Sequence, residues 1–411
     1  MTPYFETDRG KLYHGDCLGV MRELEADSIG AMVTDPPYGL SFMGKEWDYD
    51  VPSVEVWREC LRILKPGAHA LIFAGSRTQH RMAVNVEDAG FALKDTLMWL
   101  YGSGFPKSTD ISKQIDKAAG KERKGAIQGG HIGISRSGGD STNDKGMVID
   151  RNIPHVIGKG ELTRGTPATP EAEFWNGWKT HLKPAYEPII LAMKPNDGSY
   201  AANALKHGVA GLNIDGCRIE GDWSRSTTTR SDIRGGNLVR GKVKHWETGK
   251  GQQCHSGGRY PANVLLDEEA ARMLDEQSGV SKSRANIRRC AESQNRAMSG
   301  KNYKRESRGH QDSGGASRFF YTAKASASER EKFNKHPTVK PLKLITYLLT
   351  LLSYSTDIVT LDPFCGSGTM PVACEHLKRR WIACEMEEKY CEIAAKRIEA
   401  AASQLSFEDY L

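Results

Sequence analysis

Ile358-Val359-Thr360-Leu361-Asp362-Pro363-Phe364-Cys365-Gly366-Ser367-Gly368-Thr369 is a short apolar run that ends in an acid and passes into a glycine-rich turn. The run reads as a buried strand, and the residues after the turn, to about Arg379, read as a helix. Trp381 to Cys384 reads as the next strand, with Glu385 at its end and a long amphipathic helix running on to about Ala402. Strand, turn, helix, strand and helix in this order is the repeating unit of an α/β sheet with parallel strands. Glycines let a backbone approach a ligand closely, and a helix N-terminus favours polar groups. Glu385 stands 19 residues after Gly366, where a carboxylate can accept both ribose hydroxyl hydrogens of an adenosyl ligand. The third glycine of a dinucleotide turn is missing, since Met370 and Pro371 start the helix instead. The reading is a nucleoside site. The alternative is a tight strand–helix turn with no ligand, because a lone Gly-x-Gly is weak evidence.

Far upstream, Ile29-Gly30-Ala31-Met32-Val33-Thr34 is another short apolar run, and Asp35-Pro36-Pro37-Tyr38-Gly39 follows it. Two prolines fix φ and remove two amide donors, which leaves the Asp35 carboxylate and the Pro36 carbonyl as outward acceptors. Two fixed acceptors beside an aromatic ring suit a planar amino group on a base that stacks on Tyr38. An exocyclic amine is a poor nucleophile because its lone pair is delocalised. Hydrogen bonds to both its hydrogens localise that pair as the transition state forms. The alternative is a rigid turn whose tyrosine caps the core.

Around these two strings the chain alternates in character. Residues 11–100 read as compact α/β, with a helix from Val54 to Leu64 behind Ser53 as N-cap, ended by Lys65-Pro66-Gly67. Strands are expected at His69 to Ala74, Leu93 to Tyr101 and within residues 184–194, and helices at Asp267 to Gln277 and Leu342 to Ser353. Residues 102–183 and 197–335 are rich in Gly, Ser, Lys and Arg; loops this long are usually functional or mobile.

Charge is unevenly placed. The chain of 411 residues carries a formal +6, yet Ser281 to Lys335 alone holds 14 Lys/Arg against 5 Asp/Glu, so the remainder is slightly acidic. A basic block of this kind, with Tyr303, Phe319, Phe320 and Tyr321 interleaved, suits a polyanion. Arg284, Arg288, Arg289, Lys301, Lys304, Arg305 and Arg308 are the candidate DNA contacts, against a solvated loop as the plainer reading. The nine cysteines are scattered, odd in number and without a Cys-x-x-Cys pair, which argues against a disulfide scaffold. Cys217, His245, Cys254 and His255 match no standard zinc spacing, so no metal is expected. Met1 to Gly10 has no apolar signal region, and the most apolar run, Leu342 to Tyr354, falls short of the roughly 20 residues a bilayer needs. A reduced, cytoplasmic protein with no membrane partner is expected.

With these residues in view, the chain resembles the S-adenosylmethionine-dependent DNA amino-methyltransferases of the permuted, β-class order. Asp35-Pro36-Pro37-Tyr38 resembles their catalytic motif, Asp362 to Thr369 their cofactor glycine motif, and Glu385 their ribose-binding acid. His336-Pro337-Thr338-Val339-Lys340-Pro341 resembles the segment that helps hold the methionine end. His14-Gly15-Asp16-Cys17 resembles the turn whose acid meets the adenine. The resemblance covers residues 11–100, 184–194 and 336–402, with the catalytic motif first and the cofactor motif last.

It implies a Rossmann-like methyltransferase fold, a mostly parallel seven-stranded sheet with one antiparallel strand, helices on both faces and an inserted DNA-recognition region. It implies catalytic roles for Asp35, Pro36, Pro37 and Tyr38. Cofactor contacts are implied for Asp16, Cys17, Asp35, Thr338, Lys340, Asp362, Pro363, Phe364, Cys365, Gly366, Ser367, Gly368, Thr369, Glu385 and Met386. For Lys340, the cofactor carboxylate and the DNA backbone are both open as partners, as is a solvated lysine at a helix start. The implied organisation is a catalytic half (1–101), a DNA-facing insertion (102–183), a return strand (184–196), a basic target-recognition region (197–335) and a cofactor half (336–411). The implied reaction is methyl transfer from S-adenosylmethionine to adenine N6 in double-stranded DNA, after the base is flipped out, leaving S-adenosylhomocysteine. Cytosine N4 shares the chemistry; that branch more often has Ser at position 35, so Asp35 favours adenine. More distant readings are a protein-glutamine methyltransferase, which usually has Asn first and the cofactor motif first, and a non-catalytic DNA-binding protein. The expected assembly is a monomer or homodimer, and a solitary role and one beside a cognate restriction enzyme both stay open.

Overall fold

The computed structural model describes residues 1–40, 48–104, 108–123, 165–219, 258–282, 313–323, 339–352 and 355–408. In chain order the elements are β1 (Phe5–Glu6), β2 (Gly10–His14), α1 (Cys17–Arg22), β3 (Ile29–Thr34), α2 (Val54–Ile63), β4 (Leu64–Phe73), α3 (Gln79–Asp88), β5 (Ala92–Leu100), α4 (Ile111–Ala118), α5 (Pro170–Phe174) and β6 (Tyr186–Met193). They continue with α6 (Tyr200–His207), β7 (Val264–Asp267), α7 (Glu268–Ser278), β8 (Ser281–Lys282), β9 (Ser313–Gly314), β10 (Tyr321–Ala323), α8 (Leu342–Leu352), β11 (Val359–Asp362), α9 (Thr369–His376), β12 (Arg380–Glu385) and α10 (Glu388–Glu408).

The main sheet has the order β1-β2-β12-β11-β3-β4-β6-β5-β7-β10. Seven consecutive members, β2 to β5 in that order, make the expected mostly parallel sheet, in which β6 alone runs antiparallel to its neighbours β4 and β5. Three short strands extend it: β1 pairs antiparallel with β2 at one edge, and β7 and β10 run parallel to β5 at the other. The last two come from stretches that read as Gly/Ser/Arg-rich loop. They are three or four residues long, too short to set a period of their own.

The chain leaves the centre of the sheet in both directions. β3 steps through α2 to β4 on one side, while β11 steps through α9 to β12 on the other. Right-handed crossovers in opposite directions put α2 and α9 on opposite faces. β3 is buried along its whole length and β4 is buried from Gly67 onward, as strands covered on both faces must be. Trp57 of α2, Phe73 of β4 and Trp381 of β12 are fully buried. The α2–β4 boundary differs from the sequence reading. The helix ends at Ile63, and Leu64 to Gly67 already belongs to β4. Pro66 is tolerated near the strand's start, where a missing donor does least harm.

Residues 1–103 and 185–411 form one compact unit, and residues 104–184 form a second. In the second, Asp116 is buried and accepts from the Thr169 hydroxyl at 2.9 Å, the Arg123 guanidinium at 2.6 Å and the Ala168 amide. Phe174 and Trp178 stand exposed beside Trp175. Among the described residues no helix is long and apolar enough to cross a membrane.

Candidate active site

β11 and β3 pair in parallel with Leu361 opposite Met32, so Asp362 and Thr34 reach the same end of the sheet. The Thr34 hydroxyl donates to Asp362 Oδ1 at 2.7 Å, and the Phe364 amide donates to the same oxygen at 3.1 Å. Asp362 is buried, and that burial pushes its carboxyl up to about 7. The two hydrogen bonds oppose the shift, and the charges of Asp35 and Glu385 add to it. The loop after β3 and the turn after β11 therefore lie side by side where the two chain directions diverge, the place where open α/β sheets take ligands.

The loop after β3 is held from below. Asp48, itself buried, accepts the amides of Tyr38 at 2.7 Å and Gly39 at 3.0 Å through Oδ1, and that of Leu40 at 3.3 Å through Oδ2. The Thr78 hydroxyl donates to the Tyr38 carbonyl at 2.6 Å. Pro36 is buried, while Asp35, Pro37 and Tyr38 are half-buried. Both oxygens of Asp35 have a partner. The Tyr38 hydroxyl donates to Oδ1 at 2.6 Å, and the Lys340 ammonium donates to Oδ2 at 2.6 Å. Lys340 also donates to the Tyr38 oxygen at 3.1 Å and lies 3.3 Å from Glu187 Oε2. Its ammonium sits 4.9 Å from the Phe73 ring centre and 5.4 Å from that of Tyr38. Burial alone would lower the Lys340 ammonium; the Asp35 and Glu187 carboxylates outweigh it and raise the group. Burial, with the same two charges, lifts the Tyr38 phenol well above its ordinary value.

On the other side, Glu385 ends β12 with both oxygens engaged by backbone. The Gly366 amide donates to Oε2 at 2.8 Å and the Glu387 amide to Oε1 at 2.8 Å. Burial raises its carboxyl, and the amides counter the rise. Gly366 and Gly368 take φ of 55° and 81°, the left-handed region that favours glycine. Arg397 of α10, buried, donates to the Ser367 carbonyl and to the hydroxyls of Ser367 and Thr369, which fixes the turn from outside. Phe364 packs against Trp57 with ring centres 6.3 Å apart. The Gly15 amide donates to the Glu385 carbonyl at 2.9 Å, which brings the His14–Cys17 turn alongside. Asp16 is exposed and caps α1 by accepting the Leu18 amide at 3.3 Å. Met386, 61% exposed, stands next to Glu385.

The structure thus gathers Asp16, Asp35, Pro36, Pro37, Tyr38, Lys340, the Asp362–Thr369 turn, Glu385 and Met386 at one end of the sheet. Within the turn, Pro363, Cys365, Ser367, Gly368 and Thr369 are buried, and Phe364 and Gly366 half-buried. Cys17 and Cys365 are buried too; burial pushes the Cys17 thiol up to about 12 and Cys365 well above its ordinary value. Thr338 and His336 lie outside the described residues, as do all seven candidate DNA contacts: Arg284, Arg288, Arg289, Lys301, Lys304, Arg305 and Arg308. Among the described residues no cluster of His, Cys, Asp and Glu could hold a metal ion. Cys217 is buried, with its thiol 3.9 Å from the Tyr347 carbonyl; His245, Cys254 and His255 are outside the described residues. Sequence reading missed Thr34, Asp48, Glu187 and Arg397. Glu187 carried a signal, an acid one residue before Pro188 at the head of an otherwise apolar strand.

A family model for DNA methylases of the N6/N4 type matches residues 29–396. The chain belongs to this DNA methylase family. Over 94% of its length it is 22% identical to the Type II methyltransferase M.HindIII of Haemophilus influenzae, and covers 94% of that protein. It is 44% identical over 66 residues to the Type II methyltransferase M2.DpnII of Streptococcus pneumoniae, a match covering 16% of this chain and 24% of the relative. Among solved structures it aligns with the PvuII DNA methyltransferase, described as cytosine-N4-specific, at 14% identity and TM-score 0.44, covering 98% of this chain and 94% of that one. In this DNA methylase the Asp35–Tyr38 and Asp362–Thr369 strings meet at one sheet end, although they lie far apart in the sequence.

Proposed function

We propose that this DNA methylase transfers a methyl group from S-adenosylmethionine to the N6 amino group of adenine in double-stranded DNA. The observation that carries the reading is the bond between Thr34 and Asp362, which sets Asp35 beside the glycine turn. The residues fit an adenosyl ligand. Glu385 is held by backbone amides, those of Gly366 and Glu387 among them, and its two oxygens keep lone-pair capacity for a ribose hydroxyl. The exposed Met386 beside it offers an apolar contact for a flat ring. Asp16 stands on the adjoining turn with its carboxylate at the surface. The sulfonium cation of the bound donor supplies an electrophilic methyl group and a neutral thioether leaving group.

The chain's own residues then have three tasks. A base inside a duplex cannot enter a cleft at a sheet end, so the target is extruded, at a cost of roughly a few kcal/mol offset by stacking on an aromatic face. Tyr38 is the ring for that stacking. Asp35, and the Pro36 carbonyl beside it, accept the amine hydrogens and localise the nitrogen lone pair toward the donor, and the methylated nitrogen then gives up one proton to water. No thiolate is required, in keeping with burial of Cys17 and Cys365. Asp35 supports adenine N6 over cytosine N4, because the cytosine branch more often carries serine there. The basic stretch Ser281 to Lys335 is assigned to the DNA backbone. The proposal extends to a role beside a restriction enzyme, in keeping with relatives named Type II methyltransferases, and to DNA in the cytoplasm.

The test is Asp35→Ala. Methyl transfer to DNA should fall by at least about a thousandfold, while S-adenosylmethionine binding by calorimetry stays within about threefold. Substantial residual methylation removes Asp35 from its role. Nucleoside analysis of DNA methylated by the unaltered enzyme distinguishes N6-methyladenine from N4-methylcytosine; recovery of the latter overturns the adenine assignment.

A further inference from the structure

Asp35 is assigned to accept the target amine, yet each of its oxygens already holds a partner. Oδ1 holds the Tyr38 hydroxyl and Oδ2 holds the Lys340 ammonium, each at 2.6 Å. A target amine that bonds to Oδ2 beside the ammonium competes with a cation for the same oxygen, and it bonds fully once the ammonium moves away. The Lys340 side chain is 10% exposed and packs its charge between two aromatic rings, so it cannot withdraw into bulk water. A cation in such a place needs a carboxylate at each stage of its movement, since an unpaired buried charge is strongly disfavoured. Among the described residues a second carboxylate is within reach. Glu187 Oε2 is 3.3 Å from the ammonium and 3.4 Å from the Tyr38 oxygen.

The backbone explains why Glu187 is there. It lies in the second position of β6, the one strand of the seven that runs against its neighbours on both sides, opposite Trp99 of β5. Reversal of β6 brings the beginning of that strand, rather than its end, to the edge where β3 and β11 finish. The next residue, Pro188, has no amide to donate, and its carbonyl accepts the amide of Ala74 just past β4. An acid at this position is held against the catalytic loop by the sheet itself.

We propose that Glu187 is a positioning residue for methyl transfer: it receives the Lys340 ammonium when the target amine takes that cation's place at Asp35. The shift is short, because the ammonium already lies between the two carboxylates. It is also nearly neutral in charge, since one ion pair replaces another. Without the Glu187 charge, Lys340 stays bound to Asp35 and the target amine must compete with a cation for the same oxygen. Before DNA arrives, the same lysine keeps two neighbouring carboxylates from repelling each other. The inference rests on Asp35 as the acceptor of the target amine.

The experiment measures single-turnover methylation of duplex DNA at saturating S-adenosylmethionine and saturating DNA, in the full chain. Glu187→Gln keeps the shape and removes the charge. It is expected to slow transfer about tenfold to a hundredfold, the scale of losing one partner of a mostly buried ion pair. Its donor affinity should stay within about twofold, and Glu187→Asp should recover most of the rate. The deciding comparison places Glu187→Gln in a Lys340→Met background. With no ammonium to receive, the added substitution should not slow the Lys340→Met enzyme, and relief of the repulsion between Asp35 and Glu187 should leave its rate equal or higher. A purely structural glutamate would cost as much there as in the unaltered protein. The inference is overturned by a Glu187→Gln enzyme of normal rate, by an equal loss in both backgrounds, or by a Lys340→Met enzyme with no turnover, because a cation that must step aside cannot be one the transfer requires. If Asp35→Ala remains active, the underlying assignment fails; if that variant is inactive and Glu187→Gln is normal, only the role of Glu187 fails.

Discussion

Asp362 carries the clearest consequence at the scale of a single residue. Its carboxyl moves from 3.8 to about 7 because it is buried, and the bonds from Thr34 and Phe364 do not make up the difference. A carboxyl that is harder to ionise when folded favours the fold while protonated. Its contribution is complete below about 3.8 and is lost as the pH rises through about 7. Asp362→Asn fixes the uncharged state and removes that dependence. Between about pH 5 and pH 8 the unaltered protein should lose roughly 2–3 kcal/mol relative to the asparagine variant, at ~1.4 kcal/mol for each pH unit of the window. Urea unfolding of both proteins at three pH values measures it. Parallel curves would show that Asp362 ionises freely in place. Asp35, Gly366 and Glu385 were legible as candidates because each sits in a short string whose residue types constrain one another. Thr34, Asp48 and Glu187 were not, because their partners are far along the chain: Glu187 and Tyr38 are 149 residues apart.

At the scale of elements, the glycine turn and α10 are fitted to one another. A Cβ on Gly368 would lie 2.9 Å from the Ala394 Cβ, on a backbone already at φ 81°. Gly368→Ala therefore combines a left-handed alanine with an overlap against a helix, and should cost roughly 2–4 kcal/mol. Chemical denaturation checks the figure; a loss under about 0.5 kcal/mol would mean that α10 yields easily. The elements most visible in the sequence were those with a long period or a firm stop. The helices at Glu268–Ser278 and Leu342–Leu352 fall within a residue or so of the ranges expected from periodicity. The α2–β4 boundary was misplaced because Lys65-Pro66-Gly67 reads as a helix stop followed by loop, whereas the chain turns straight into a strand. β7 and β10 went unseen because pairing with a distant neighbour, rather than local preference, makes a strand of so few residues.

At the scale of the molecule, charge is uneven along the chain, and the excess of Lys and Arg lies in Ser281 to Lys335. If that block meets the DNA backbone, affinity for duplex DNA should fall linearly in log–log form with added salt. Neutralising three to six phosphates gives a slope of about −3 to −5. Fluorescence anisotropy from about 50 to 200 mM salt measures it, and a slope near zero would assign the block to something other than phosphates. The seven-strand arrangement followed from the resemblance, and the ten-strand sheet needed the coordinates.

Thr34 and Asp362 touch although 328 residues separate them. On a ribosome adding about 5–20 residues per second, the first waits roughly 16–66 s for the second to emerge. Throughout that interval β3 has a partner on one side only, and the side reserved for β11 is an open apolar edge of a newborn chain. A nascent polypeptide built in this order has to be shielded until its final segment is threaded into the middle of the sheet. If that open edge limits folding, added chaperone should raise the soluble yield of this chain, which co-expression would measure.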